Sequence, residues 1–554
     1  MPLRLRTDWP IRWIFLLASA VVAGTALKAY QWYFSRPLWL DEQMVLLNVR
    51  DRAVTELIGP LWMNQAAPLG WLVLQRGVVT MIGTGDRDVR AVPVLFGMAT
   101  LWVAWWMARR WMTPVAAAIF ILLCGIGQWI TFYATEAKPY SADAFCALTL
   151  LAVGIWACEA PTERPVSLPR ILAWWVVASI AQWMSFAATL VTPACAIVLF
   201  TMAWRRAGWR PAFAVAVQGL IWLVSFGVHY TLSIRHSSND PYLRSYWASG
   251  FPPGDAGVTG AVRWLTNQAE PLAAHPGSTG LWIAFWLVAA YGISVMLVKR
   301  PGIGLMLLSM PVSGFLLAIF RVVPLTDRLA LWTTPALYAA IAIAAGDVFE
   351  RTDRPRSLRA WVGLAVGIAC AVGAWAVCLD IFEKGRDRVI VRGTNHGLDD
   401  GRGVRLLMAQ REPGDVLLTS HLGLPAVWWY GHISTAEPLR GRTFPEDGAP
   451  IFEISHRRLG AGGCRRQSQF KALSEALAGA PRAGVYLGFD SNSPPGFQQL
   501  VLDDLARLGT RVSYIRVGSE GVAAIYDLRH PPDAPSEPVS RLDGCVGVKP
   551  AQRW

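Results

Sequence analysis

Three short stretches place charged side chains beside long apolar runs, and each suits chemistry at a membrane surface. In Trp39-Leu40-Asp41-Glu42 two adjacent carboxylates can supply a general base and a second acid that orients a substrate or cation. The flanking Pro37, Leu38, Trp39 and Leu40 should bury the pair partly and raise a carboxyl pKa toward proton abstraction. The plainer alternative is two solvated loop acids. Tyr133-Ala134-Thr135-Glu136-Ala137-Lys138-Pro139-Tyr140 brings a Glu and a Lys close to hydrocarbon, where charges need a reason. Pro139 marks a break between helices, so the turn presents Glu136 and Lys138 inward, for a ligand or as a structural ion pair. In Pro324-Leu325-Thr326-Asp327-Arg328 the planar guanidinium can bind a phosphate or can snorkel from a helix start. Asn64, Gln65 and Pro68 form a fourth set, with Arg87 and Arg90 behind it.

The elements that must position these residues are transmembrane helices. Of 554 residues 54% are hydrophobic and 16% charged, and mean hydropathy is +0.35; a soluble protein carries about 25% charged residues. The 28 tryptophans fit rings at lipid–water interfaces. A small soluble enzyme, a disordered chain and a disulfide miniprotein are excluded. The net charge of +13 is scattered between apolar runs, which argues against a nucleic-acid partner. Only six of the 51 basic residues are lysine, as a GC-rich coding bias would produce.

Apolar stretches of about 18–22 residues, enough to cross roughly 30 Å of hydrocarbon, lie near 12–29, 91–108, 113–133, 141–158, 171–187, 188–204, 211–230, 279–298, 303–320, 329–346 and 359–380. That predicts about eleven spans. A shorter segment, Pro68 to Ile82, is interrupted by Gln75 and Arg76. If it lies along the surface, then Arg109/Arg110, Arg164/Arg170, Arg205/Arg206/Arg210, Lys299/Arg300 and Arg351/Arg354/Arg356/Arg359 all fall on the side of the basic N-terminus. If it crosses, all of them move to the other side. The positive-inside rule selects the first arrangement, with a cytoplasmic N-terminus and a first outer loop of about 30–90. The first span reads as an uncleaved anchor.

Two domains follow, a transmembrane domain over 1–384 and an outer α/β domain over 385–554. In the latter, β-type runs at Asp415–Ser420, Ala483–Phe489, Val512–Val517 and Val522–Leu528 alternate with helical stretches such as Gln498–Leu508. Six of eight cysteines sit in apolar spans. The other two, Cys464 and Cys545, are expected to form a disulfide in an oxidising compartment, the alternative being two unpaired thiols.

No GxxxxGK[ST], GxGxxG, HExxH, GxSxG or CxxC motif occurs, and the eight histidines lack metal-ligand spacing. The mid-span positions are nearly free of charge, unlike transporter sites. The acid–base residues all converge at the outer face, where a basic-plus-acidic cavity suits a reaction on a lipid-linked phosphate.

The run Leu38-Trp39-Leu40-Asp41-Glu42, with Asn48-Val49-Arg50-Asp51-Arg52 and Gln65-Ala66-Ala67-Pro68-Leu69-Gly70, resembles the first outer loop of the GT-C glycosyltransferases. Within that superfamily the chain is most similar to the branch of protein O-mannosyltransferases and lipid A aminoarabinose transferases. Val89-Arg90-Ala91-Val92-Pro93, Thr135-Glu136-Ala137-Lys138-Pro139-Tyr140-Ser141 and Asp327-Arg328-Leu329 extend the likeness over about residues 10–350. It implies a polyprenyl-phosphate sugar donor and an inverting transfer to a lipid, polysaccharide or protein acceptor of the envelope, at the outer face of an inner membrane. Asp41 would be the base and Glu42 the second acid of the pair. Gln65, Arg90, Glu136, Lys138, Tyr140, Asp327 and Arg328 are the candidates for binding substrate, with no cofactor and no visible metal-ligand set. The turn carrying Glu136 and Lys138 departs from the aminoarabinose transferases. A lipid-linked-sugar flippase or a glycan polymerase or ligase are the competing readings.

Overall fold

A computed structural model describes residues 11–159, 166–238, 240–254, 257–351, 399–436, 441–457, 466–489, 493, 496–530 and 545–551. The chain divides into two compact units. One comprises Met1–Ser35, Ile58–Pro60 and Ala66–Glu383; the other comprises Arg36–Leu57, Leu61–Gln65 and Lys384–Trp554.

The first unit is helical. Its opening elements are α1 (Ile11–Tyr33), α3 (Leu69–Met81), α4 (Ala91–Trp111), α5 (Pro114–Ile126), α6 (Gln128–Phe132), α7 (Tyr140–Cys158), α8 (Leu168–Met184) and α9 (Phe186–Ala207). Helix α2 (Leu40–Asp51) belongs to the second unit. Among the described residues eight helices are long and apolar enough to cross a membrane, and α5 with the segment Gln128–Thr135 forms an apolar pair bent by 52°, a broken span or a re-entrant loop. The 17-residue α8 comes close to the length of a span. Every expected span within the described residues is helical, and the one near 359–380 lies outside them. Helix α3 has 13 residues, about 20 Å at 1.5 Å per residue, which is too short to cross and agrees with the surface reading of 68–82.

The bend falls at Gly127, where the backbone leaves helical geometry. In hydrocarbon the carbonyls freed by a break must find donors. Lys28, fully buried in α1, supplies them: its Nζ donates to Gly125 O at 2.9 Å and Cys124 O at 3.3 Å. Gly24 lets α1 come this close, since a Cβ there would stand 3.0 Å from Gly125 Cα. Lys28 is an exception to the expected charge-free spans.

The arginine-rich segments gather at one end. Glu159, after α7, accepts from Trp111 Nε1 and from Arg300 at 3.1 Å, with Arg110 at 3.9 Å. Arg170 donates to Trp156 O and Glu159 O, and Arg206 to Cys158 O. Cations here face the negative end of α7 and satisfy its last carbonyls.

The second unit contains a six-stranded sheet of β1 (Val416–Ser420), β2 (Ile451–Arg457), β3 (Arg482–Leu487), β4 (Thr510–Val517), β5 (Gly521–Asp527) and β6 (Cys545–Pro550), ordered β4-β5-β3-β1-β2-β6. Central β1 pairs in parallel with β2 and β3, and the outer pairings are antiparallel. All five residues of β1 are buried, as expected for a strand covered on both faces. One face carries Val416, Leu418, Val485 and Leu487 under Leu473, Phe497, Leu500 and Leu505. The four expected strands are present; β2 and β6 are additional. Cys464 lies outside the described residues, so the expected Cys464–Cys545 disulfide does too.

The first loop was expected within the transmembrane domain. Its helix instead packs as part of the second unit, because both of its ends bond there. Leu38 N donates to Tyr430 Oη at 2.9 Å, and Asp51 Oδ2 accepts from Thr435 N at 2.8 Å and Thr435 Oγ1 at 2.6 Å.

Close helix packing generates a first prediction. Gly292, in the helix Trp282–Lys299, sits against the Ala340 carbonyl of the helix Thr334–Arg351, and a Cβ there would collide with that oxygen. Small residues set such membrane interfaces. Gly292→Leu should lower the melting temperature of the detergent-purified protein by several degrees, whereas Val298→Leu, at an exposed position of the same helix, should leave it unchanged.

Candidate functional site

In the helical unit, the site is built at the turn between α6 and α7. A 3₁₀ turn, Tyr133–Thr135, follows α6, Glu136 is extended, and Pro139 precedes the first residue of α7. Lys138 N closes the turn on Glu136 O at 2.7 Å. Glu136, Lys138 and Tyr140 are buried, so their polar groups are held in a low-dielectric setting where charge interactions are strong.

Two further loops join this turn. Trp129 of α6 donates its Nε1 to Ala274 O at 2.8 Å and stacks on His275 with 3.7 Å between ring centroids. Tyr133 Oη and His275 Nε2 are 2.8 Å apart, and His275 Nδ1 lies 3.6 Å from Asp327 Oδ1. The Arg328 guanidinium lies over Tyr140 at 5.6 Å and Trp247 at 5.4 Å, within cation–π range. Glu136, Arg328, Tyr140 and Asp327 all act electrostatically on Tyr133. The structure thus brings together Glu136, Tyr140, Asp327 and Arg328, with Lys138 in the same turn. Tyr133, Trp129 and His275 join them, and only Tyr133 lay within a stretch marked by the sequence. A single histidine in a Pro/Gly loop carries no local signal of this role. Lys28 did carry one, as a scarce lysine inside an apolar run.

Arg90 is fully buried and donates to Ser35 Oγ at 2.7 Å. Ser35 Oγ in turn donates to Asp86 O at 3.1 Å, and Trp32 Nε1 to Arg87 O at 2.7 Å. Gln75 of α3 donates to Val89 O at 2.7 Å. Arg90 therefore ties the end of α1 to the segment entering α4.

The remaining candidates belong to the second unit. Asp41 is half-buried in the first turn of α2. Glu42 is fully buried, and its Oε2 accepts from the Trp39 backbone N–H at 2.8 Å. That is the N3 half of a capping box, so Glu42 stabilises the helix start that carries Asp41. A Glu at the third helical position was the signal for this role. Gln65 Nε2 donates to Met63 O at 3.0 Å and lies 3.3 Å from Met44 Sδ. Just before it, Met63 and Asn64 have φ of 60° and 51°, a left-handed pair held by Asn48, whose Oδ1 accepts from Trp62 N at 2.7 Å. Among the described residues no group of three or more His, Cys, Asp or Glu side chains could hold a metal ion.

Burial, and then the positive charge of Arg328, lower His275 from its ordinary 6.5 to about 4. These outweigh half-exposed Asp327 at 3.6 Å. The folded state therefore binds fewer protons here than the unfolded chain. Its contribution to stability is complete above pH 6.5 and declines as pH falls from 6.5 toward 4. Thermal melts in detergent should show that decline in the wild type and a shallower one in His275→Gln.

No family model and no curated protein matches the sequence. Among solved structures the chain is similar to ArnT from Cupriavidus metallidurans in the apo state, with a TM-score of 0.53, 14% identity, and coverage of 92% of this chain and 97% of that one. The same protein bound to undecaprenyl phosphate gives a TM-score of 0.52 at 15% identity, with the same coverage. The archaeal oligosaccharyltransferase AglB from Archaeoglobus fulgidus, in complex with an inhibitory peptide and a dolichol-phosphate, gives 0.48 at 11% identity, over 96% of this chain and 75% of that one. At these identities the likeness is one of fold, and it spans nearly the whole of the first two.

Proposed function

Starting from the GT-C fold, which this multi-pass membrane chain shares with ArnT, we propose that the protein is a glycosyltransferase of the cytoplasmic membrane. It moves a sugar from a polyprenyl-phosphate donor to an envelope lipid, polysaccharide or protein on the outer face. The observation that carries this reading is the buried turn of Glu136 and Lys138 with Arg328 beside it, at a helix junction rather than at mid-span. In ArnT the same fold binds undecaprenyl phosphate, which supports a donor of that class.

In the reaction the acceptor hydroxyl attacks the anomeric carbon as its proton passes to Asp41. The bond from that carbon to the phosphate oxygen breaks with inversion, and polyprenyl phosphate leaves. Lys138 and Arg328 meet the charge that grows on the leaving phosphate. A phosphate leaves as an anion, so no acid need protonate it and no redox cofactor takes part. Glu42 supports Asp41 through the helix start. The arginine cluster around Glu159 lies on the cytoplasmic side in this orientation, as the positive-inside rule requires.

Asp41→Asn should lower transfer about 10²–10⁴-fold at unchanged expression, the range for loss of a general base. The measurement is the mass of envelope glycans in cells carrying either form; normal product in the variant would remove Asp41 from this role. Lys138→Ala should weaken binding of undecaprenyl phosphate by the purified protein about 10-fold or more, as loss of a charge-assisted contact does. Turnover in detergent separates transferase from flippase, because transport needs two sides.

A further inference from the structure

We propose that the α/β unit acts as a clamp on α2, and that Gln43 and Asp400 are the positioning pair through which it sets the place of Asp41. The role rests on Asp41 serving as the base. Isolated helices of 12 residues are marginal in water, and a base must hold its position closely, since an error of about 1 Å can slow a reaction about 100-fold.

The amide of Gln43, fully buried two residues after Asp41, uses Nε2 twice. It donates to Asp400 Oδ2 at 2.8 Å and to Leu38 O at 2.8 Å. Asp400 is itself buried at the start of the helix Asp400–Gln410, and its other oxygen accepts from Tyr486 Oη on β3. Leu38 is bonded again through its N–H to Tyr430 Oη. Trp39 packs edge-on against Phe489, two residues beyond β3, with ring centroids 4.9 Å apart. Tyr486 and Phe489 lie at the carboxyl end of a parallel strand, the edge at which open α/β sheets bind their ligands. Here the chain's own first loop takes that position. At the far end of α2, Arg50 donates to Trp428 O at 3.0 Å and Ile433 O at 2.7 Å, and Asp51 is held by Thr435. The helix is thus fixed at both ends by one folded unit.

Burial holds the Asp400 carboxyl up at about 6, and the hydrogen bonds from Tyr486 and Gln43 pull it down again. The pair is therefore poised to respond to a change of either partner. Gln43→Glu sets two carboxylates against each other, and adding Asp400→Asn restores a carboxylate–amide bond with donor and acceptor exchanged.

The test uses the full-length protein in phosphatidylethanolamine–phosphatidylglycerol nanodiscs. Hydrogen exchange is followed over residues 40–51 and over β1 and β3, and glycan product is measured in cells. Gln43→Met and Gln43→Glu should speed exchange of α2 amides at least about tenfold, the scale of one lost hydrogen bond. The two strands should change less than about twofold. Product should fall in both single variants, and Gln43→Glu/Asp400→Asn should recover both α2 protection and product. The proposal is overturned by unchanged α2 exchange, by unchanged product in Gln43→Glu, or by strands and helix loosening together without rescue. Absence of transfer by the wild type would instead count against the glycosyltransferase reading, and the exchange arm would still decide whether the clamp exists.

Discussion

Inside hydrocarbon a backbone carbonyl without a donor is costly, and the helical unit depends on how one such problem is met. The apolar run of α5 and α6 breaks at Gly127, which releases the carbonyls of Cys124 and Gly125, and the Lys28 ammonium takes both. A charge in a span is ordinarily unfavourable, and so are freed carbonyls; together they offset each other. The break redirects the chain so that Trp129 and Tyr133 reach His275. Had α5 run on straight, the turn carrying Glu136 and Lys138 would have a different approach to Asp327 and Arg328.

Charge is divided between the two ends of this unit by different rules. At the end marked by Glu159, arginines cap helix carbonyls and share one carboxylate. Those are satisfied, stabilising contacts. At the other end Arg328 lies over two ring faces, and Lys138 is buried in the turn that carries Glu136. A planar, always-charged group fixed this way is arranged in advance of any ligand, which is the condition for stabilising a developing phosphate charge.

Much of this was legible in the residues. Apolar length marked the spans, Pro139 marked the turn, and the polar Gln75 and Arg76 marked α3 as a segment too short to cross. Four strands showed as β-branched or aromatic runs. Strand β2 was hidden because Glu453 interrupts its apolar run and reads as a solvent-facing residue, whereas its carboxylate is buried against His421 and Lys549. Strand β6 holds only two valines beside Gly and Pro, a composition typical of an edge. The bend at Gly127 was hidden for another reason: the sequence on both sides is equally apolar, and only the partner Lys28 reveals it. His275 was invisible because its neighbours come from loops far apart in the chain.

Glu42 shows how a carboxylate pair divides its work. Adjacent acids in a loop suggest two equivalent groups, but successive helical residues point about 100° apart, so they cannot share a face. One turns back to cap the helix and becomes buried; the other remains half-buried. The α/β unit then supplies what a 12-residue helix lacks, a rigid frame bonded to Leu38, Gln43, Arg50 and Asp51. The acid proposed as the base thus stands on a helix held by a domain distant in sequence, which gives a loop segment the fixity that a general base would require.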